Sequence, residues 1–438
     1  MNNDNFIKIE YESSIPLSNI ESSLYDKYNV KRGLRNSNGT GVLVLLTKIS
    51  DVYGYELVDN KKIDRDGHLY YRGYDIYKLA NLSNKQYGFE RICFLILFSK
   101  LPTEEEIIDF HNYLKKEYEL PKEFVADILL KNVSSSIINQ VQKSILSLYS
   151  FDDNPDDYSP YSTLIKGLNI IAKLPSIISY SYRSKKHYID GLSLHIREPK
   201  EDYSLAENLL YMSRRNGEFT RLEAETLDLA LILHADHGGA NNSTFAGIVV
   251  SSTSTDIYSS IVASLGSLKG PRHGGANRKV KDMMSCVLKK ITLNATDEEI
   301  EDVINKILSG DFFDNSGLLY GFGHAVYTLS DPRAILLKEK CRELAISSGE
   351  IDRFNFYDRF ESIAHKILDI QLGHKTCTNV DYYSGLTYEI LKINEDLYTP
   401  IFACARTVGW LAHNIENKLY SDKIVRPAGM YVGDIKKE

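Results

Sequence analysis

With 438 residues and 49.8 kDa the chain is too long for one small module, and at roughly 150 residues per domain it suggests two or three domains. About three quarters of the unfolded surface is available for burial at this size, so a core needs neither disulfides nor a metal to hold it. Hydrophobic residues at 43%, charged residues at 25% and only 11 prolines exclude long disorder, and a formal charge of −7 excludes the broad basic field of a general nucleic-acid or anionic-membrane binder.

Any anionic ligand must then be held by local cations. The five cysteines, Cys93, Cys286, Cys341, Cys377 and Cys404, are widely spaced with no CxxC pair. Neither a disulfide framework nor a thiolate zinc site is expected from them, and a reducing cytoplasm fits. The start MNNDNF lacks the basic and apolar regions of a secretory signal. Apolar runs such as 42–46 and 94–98 are far shorter than the roughly 18 residues of a membrane span, so a soluble cytoplasmic protein is expected.

In chain order, residues 41–48 are β-branched and apolar and predict a strand. Residues 57–63 and 68–71 predict a hairpin about the turn signal Asp64-Arg65-Asp66-Gly67. Helices follow one after another. Helical spacing occupies about 87–99, and Thr103 with Glu106 forms a capping-box signal ahead of Ile107, Ile108 and Leu114. It recurs at about 134–149, 161–183, 203–213, 221–236, 254–267 and 277–290, with the polar stretch 152–161 as a loop. Thr296 with Glu299 repeats the capping signal before Ile300, Val303, Ile304 and Ile307, with Gly310 set to end that helix. Segments 331–347, 355–371, 383–394 and 398–418 complete the series, and no repeat of 20–50 residues is present. The expected fold is mainly α, with a small N-terminal β-hairpin region.

Histidines in Gly-rich or polar surroundings carry the chemistry. His234 and His237, in LHADHGGANNST, are spaced i and i+3 about Asp236 at the end of an apolar helical run. They suit a metal pair, or a helix C-terminus where imidazoles lie near the last carbonyls and Gly238-Gly239 stops the helix. In KGPRHGGAN, Gly270-Pro271 breaks one helix and Ala276 opens the next, so His273 stands on a tight loop at a helix start, a place suited to negative charge or simply to a turn. His324 follows the close-approach loop Gly321-Phe322-Gly323. Arg333 lies nine residues further on, at the second position of a helix capped by Asp331 and opened by Pro332. Arg333 offers a fork for a carboxylate, or an ordinary pair with Asp331. Asp381, in TNVDYYSG, is a candidate base or a helix cap. Arg406 sits mid-helix in CARTVGW, where burial demands an anionic partner, and Arg426 lies in IVRPAG.

Together these segments resemble the citrate synthase family. GFGHAVYTLSDPR is similar to that family's G-x-G-H-x-V signature followed by D-P-R. KGPRHGGAN resembles its first catalytic-histidine loop, NVDYYSG its catalytic aspartate loop, and LILHADHGGANNST its oxaloacetate-binding helix end. YRGYDIYKLA and FSKLPTEEE are similar to its N-terminal segments, and the resemblance runs from about Lys31 to about Arg426.

The resemblance implies a two-domain multi-helical fold, with a large domain of residues 1–277 and 391–438 and a small domain of 278–390 closing over the site. It implies condensation of acetyl-CoA with oxaloacetate and water to give citrate and CoA, through an enol or enolate and hydrolysis of citryl-CoA. Asp381 is then the base, His273 the hydrogen-bond donor to the thioester oxygen, and His324 the group that polarises the ketone. His237, Arg333, Arg406 and Arg426 hold the dicarboxylate, Arg426 being donated by the neighbouring subunit of a homodimer. Leu319, Tyr320, Gly321, Phe322 and Gly323 contact CoA largely through main chain. Acetyl-CoA enters as co-substrate. No tightly bound cofactor, metal, nucleic acid or membrane partner is expected. Methylcitrate synthesis from propionyl-CoA is the near alternative, since one methylene is worth about 1–3 kcal/mol in a pocket and cannot be read from a linear sequence. Rivals of other classes are a metal-dependent hydrolase built on His234, Asp236, His237 and His273, and a noncatalytic helical protein. Two positions depart from the family pattern: Thr378, where many members have Pro, and Thr328, at a place often basic.

Overall fold

The computed structural model describes residues 3–17, 19–59, 61–270, 273–421 and 423–433, apart from the side chains of residues 3–7 and 17. Contacts divide the chain into two compact units: Met1–Val44, Val58–Lys62 and Val425–Glu438, and Leu45–Leu57 with Ile63–Ile424. The first contains α1 (Asn3–Leu17), α2 (Ser22–Lys27) and a turn in which Gly41 bridges Arg35. The predicted strand over 41–48 does not form. Past Gly41 its backbone joins no ladder, and Leu43 and Leu46 are 84% and 88% exposed, so the apolar run has no partner to bury it.

A three-stranded sheet of order β1-β2-β3 is made by β1 (Ser50–Val58), β2 (Lys61–Tyr71) and β3 (Tyr74–Asp75), with Tyr70 opposite Asp75 and Tyr71 opposite Tyr74. The hairpin exists, but its turn is elsewhere. Asp64–Gly67 runs straight inside β2, and the chain leaves β1 through Asp59 at φ 51. Gly67 serves close approach rather than turning: a Cβ there would collide with Ser330 O, and one on Gly54 would lie 2.6 Å from Val326 O. These glycines let both strands press on the loop 326–330.

α3 (Ile76–Ala80) starts at Asp75, whose carboxylate accepts from Tyr77 N–H. α4 (Gly88–Phe98) follows, then α5 (Glu104–Leu114), which opens with the expected Thr103–Glu106 capping box. α6 (Lys122–Phe124) and α7 (Ile137–Leu148) lead to the long α8 (Pro160–Tyr188). α9 (Leu205–Ser213) and α10 (Arg221–His234) begin in capping boxes of Ser204 with Glu207 and Thr220 with Glu223. Next come α11 (Asn242–Ser251), α12 (Ile257–Leu268) and α13 (Ala276–Lys290). α14 (Asp297–Leu308) opens with the Thr296–Glu299 box and is followed by Gly310 at φ 80, as expected. α15 (Pro332–Ser348), α16 (Ile351–Leu372), α17 (Val380–Ile390) and α18 (Tyr398–Tyr420) end the series. Periodicity missed α11, whose Ser, Thr, Gly and Val content is poor in helix formers; the Asn241 side chain caps it through Ser243 N–H.

α18 is the axis of the packing. It is buried continuously from Pro400 to Asn414 and touches α4, α7, α8, α10, α11 and α12. A helix buried on every side must find partners for any polar group it carries. α13 through α17 pack mainly among themselves, while α15 also meets α3 and α10. Among the described residues no helix is long and apolar enough to cross a membrane.

Candidate active site

α10 ends at His234, and residues 235–237 leave the helix before Gly238 turns the chain at φ 85. His234 and His237 are therefore not an i, i+3 pair on one helical face. His234 Nδ1 lies 2.6 Å from the Ala230 carbonyl of its own helix, and its ring stands edge-on to Phe402. Asp236 is held by the Ser50 hydroxyl and by His413 Nε2 at 3.1 Å. Burial would raise its carboxyl, but His413 and Arg406 outweigh that and keep it ionised. A Cβ on Gly409 would collide with Asp236 Oδ1, so this glycine lets α18 lie against the segment. Among the described residues no three His, Cys, Asp or Glu side chains converge as a metal set.

His237 projects further, 9% exposed, with no partner for Nε2 among the described residues. Its ring meets His324 edge-on at 5.1 Å, and both pack on Tyr327, at 5.5 and 4.7 Å. His324 Nδ1 accepts the backbone N–H of Val326 at 3.0 Å and of Tyr327 at 3.1 Å. The ring is thereby fixed as the tautomer with its proton on Nε2. Asp331 caps α15 as expected and grips Arg333 in a fork, at 3.0 Å from Nε and 2.8 Å from Nη2. The pair is buried rather than superficial, and the Arg333 guanidinium lies 5.5 Å over the Tyr327 ring.

Arg406 is 1% exposed. Its Nε donates to the His234 carbonyl at 2.7 Å, while Nη1 and Nη2 are buried with no acceptor among the described residues. Burial lowers its pKa to about 10, so it is still a cation at neutral pH. Asp381 does not cap its helix: Asn379 caps α17 by accepting from Asp381 N–H. Its carboxylate is left without a hydrogen-bond donor among the described residues, and burial raises it to about 6 against the pull of Arg333 and Arg406. His273 stands just before α13. Its Nε2 lies 3.0 Å from Ser243 Oγ, which also accepts from Trp410 Nε1 at 3.2 Å. Pro271, the expected breaker of the preceding helix, lies outside the described residues.

Two guanidinium groups connect these side chains. Arg406 acts electrostatically on His237, His273 and Asp381, and Arg333 on His237, His324 and Asp381. Burial first, then these cations, brings His273 and His324 each to about 4 and His237 well below its ordinary value. All three imidazoles are neutral at pH 7. The result is a buried, cationic cluster in which neutral imidazoles and a raised carboxyl share the same two guanidinium groups.

Arg426 lies exposed in the first unit, without regular structure. The segment Leu319–Gly323 is a loop with Gly321 at φ 92 and Gly323 at φ 80, and Tyr320 donates to Asp314 at 2.7 Å. Thr328 turns its hydroxyl to the Gly54 carbonyl at 2.7 Å, so this position serves the hairpin. Sequence reasoning overlooked Tyr327, whose buried hydroxyl has no partner, and Ser243, which orients His273. Each stood within six residues of a named histidine, at a spacing that means little until the loops are folded.

A model of the citrate synthase C-terminal domain matches residues 36–428. The chain belongs to the citrate synthase family. A citrate synthase family relative, citrate synthase 2 of Bacillus subtilis, is 36% identical over 377 residues, covering 85% of this chain and 92% of its own. The 2-methylcitrate synthase of Shewanella oneidensis is 30% identical over 365 residues, covering 83% and 88%. Among solved structures, the ternary complex of carboxymethyl coenzyme A and oxaloacetate with citrate synthase from Thermoplasma acidophilum aligns with a TM-score of 0.76 at 26% identity, over 93% of this chain and 97% of that one. The mainly helical citrate synthase fold expected from the sequence is thus the fold of this protein.

Proposed function

We propose that the protein is an acyltransferase that condenses acetyl-CoA with oxaloacetate and water to give citrate and CoA. The observation that carries this reading is the buried Arg406, with two terminal nitrogens unpaired, beside Arg333 and the unpaired His237 Nε2. Unsatisfied buried guanidinium nitrogens are costly to a folded protein, and a small dicarboxylate supplies the missing acceptors.

In this scheme Asp381 removes a proton from the acetyl methyl group. Its raised carboxyl makes it a stronger base than an exposed aspartate while still ionised near neutrality. In the tautomer whose Nε2 accepts from the Ser243 hydroxyl, His273 carries its proton on Nδ1, which donates to the thioester oxygen as the enol or enolate forms. The new carbon nucleophile attacks the ketone carbon of oxaloacetate, and the Nε2–H of His324 hydrogen-bonds the forming alkoxide, which takes up the proton that Asp381 removed. Water then cleaves the thioester of citryl-CoA, releasing citrate and CoA. Neutral imidazoles suit both donor roles because they add no charge beside the carboxylate. The loop Leu319–Gly323 receives part of CoA through its backbone; its two left-handed glycines permit close approach.

Residues 278–390 act as a small domain closing over the rest, a reading supported by the mutual packing of α13 through α17. The active form is a homodimer in which Arg426 reaches the neighbouring site; exposed Leu46 and Tyr420 support a further apolar contact. Five free thiols, four of them buried, support a reducing cytoplasmic setting. The test is product analysis with acetyl-CoA and propionyl-CoA side by side, following oxaloacetate-dependent thiol release. Citrate formed faster than methylcitrate is the expected result. No thiol release with either thioester rejects the proposal.

A further inference from the structure

A cavity of about 550 Å³ shares no residue with the candidate active site. It opens between the last turns of α8, the connection from α9 to α10, and the residues that follow α17. Its wall is unusually cationic for a chain of net charge −7. Arg183 is 8% exposed, and its Nε and Nη2 are buried with no acceptor among the described residues. The Tyr182 ring lies 5.7 Å from its guanidinium. Burial lowers the Arg183 pKa; Tyr182 opposes this, and Arg197 and Arg215 add to it, with no carboxylate among these groups.

The remaining charges do not neutralise it. Arg214 is paired with the Glu223 carboxylate, at 3.0 and 2.7 Å, and donates to the Leu391 carbonyl at 2.6 Å. Arg197 donates to the carbonyls of Arg214 and Arg215 at 2.8 and 2.6 Å. Arg215 and Lys392 line the same space and make no ion pair among the described residues. Of the two carboxylates on the wall, Glu223 is committed to Arg214, and Glu218 accepts from Asn216 Nδ2 at 2.8 Å. A buried guanidinium without a counter-ion is strongly unfavourable, and two further uncommitted cations at its mouth call for more than one negative charge.

We infer that this cavity is a binding site for a small phosphate-bearing anion, whose phosphate meets Arg183, Arg215 and Lys392 and whose organic part lies against Tyr182 and Phe219. Phosphate offers several acceptor oxygens to the planar fork of arginine, and the volume lies within the range of ligand pockets.

The probe is inorganic pyrophosphate, titrated calorimetrically into the full-length protein at low ionic strength. One site per chain is expected, persisting in Arg406→Leu and weakened at least ten-fold in Arg183→Gln. Because Arg183 is buried, the exposed substitutions Arg215→Gln and Lys392→Gln provide the second measure, each expected to weaken binding several-fold in a protein that melts as the wild type does. Absence of binding, binding unchanged in Arg215→Gln and Lys392→Gln, or binding abolished by Arg406→Leu overturns the assignment. Binding is read without turnover, so failure to make citrate leaves this site standing, and loss of this site leaves the proposed reaction untouched.

Discussion

Phe322 and Thr378 face one another in an isolated antiparallel bridge. Its hydrogen bonds run from Gly323 N–H to the Cys377 carbonyl at 2.8 Å and from Asn379 N–H to the Gly321 carbonyl at 2.9 Å. The Asn379 side chain adds a third, to the Gly323 carbonyl at 3.0 Å. The loop that ends in His324 and the loop that begins the Asp381 helix are thereby one body, and the separation of these two side chains is set by backbone geometry rather than by side-chain contacts.

The bridge decides what a proline at 378 would do. Its hydrogen bonds use residues 377 and 379, so Thr378 contributes no N–H to them. Only the contact of its hydroxyl with His365 Nε2, at 2.8 Å, would be lost. Thr378→Pro should leave turnover within about three-fold of wild type and the thermal midpoint nearly unchanged, because one partly buried hydrogen bond is worth only about 1 kcal/mol. Steady-state kinetics and a melting curve check both.

Asp381 sets the acid limb of the reaction. A base works only when deprotonated, and the raised carboxyl titrates near 6, so kcat/KM should fall about ten-fold per pH unit below that value. Asp381→Asn should remove this limb and lower kcat by at least about 10², with the far-UV spectrum unchanged. A profile flat down to pH 5 contradicts the role.

Arg406→Leu separates binding from folding. The two unpaired nitrogens have nothing to lose in the free protein, whereas each charge-assisted bond to a carboxylate is worth about 1.5–3 kcal/mol. The KM for oxaloacetate should rise by about 10² or more. The melting temperature without substrate should fall only modestly, since the Nε bond to the His234 carbonyl and the attraction for Asp236 are lost while the desolvation of a buried cation is relieved.

Glu90 and Asp228 are two buried carboxyls that act on one another. Glu90 is fully buried, with Oε1 accepting from Leu205 N–H at 2.7 Å and Oε2 unpaired. Burial raises its carboxyl to about 7, and burial and Glu90 together raise Asp228 well above its ordinary value. The folded protein therefore holds protons that the unfolded chain has released. Their stabilisation is complete below the ordinary carboxylate range and is lost as pH rises toward 7. Glu90→Gln should raise the thermal midpoint at pH 8 and change it little at pH 5; an equal effect at both values contradicts this account.

Much of this was legible in one dimension because the informative segments are local. Capping boxes at Thr103 and Thr296, the Asp331–Pro332 helix start and the buried position of Arg406 all depend on near neighbours. What failed depended on distant ones. The 41–48 run looked like a strand but finds no ladder. Gly67 looked like a turn but is needed because Ser330 and Tyr327 approach it from far along the chain. Tyr327 and Ser243 carried no signal, since a tyrosine or serine gains meaning only from the imidazole it meets.

Asp331 caps α15, grips Arg333 in a fork and accepts the first N–H of α17 from Val380 at 3.2 Å. Asparagine would keep the shape without the charge, and glutamate would keep the charge but overshoot the turn. Three obligations thus fall on one short side chain, and either replacement alone would break at least one of them.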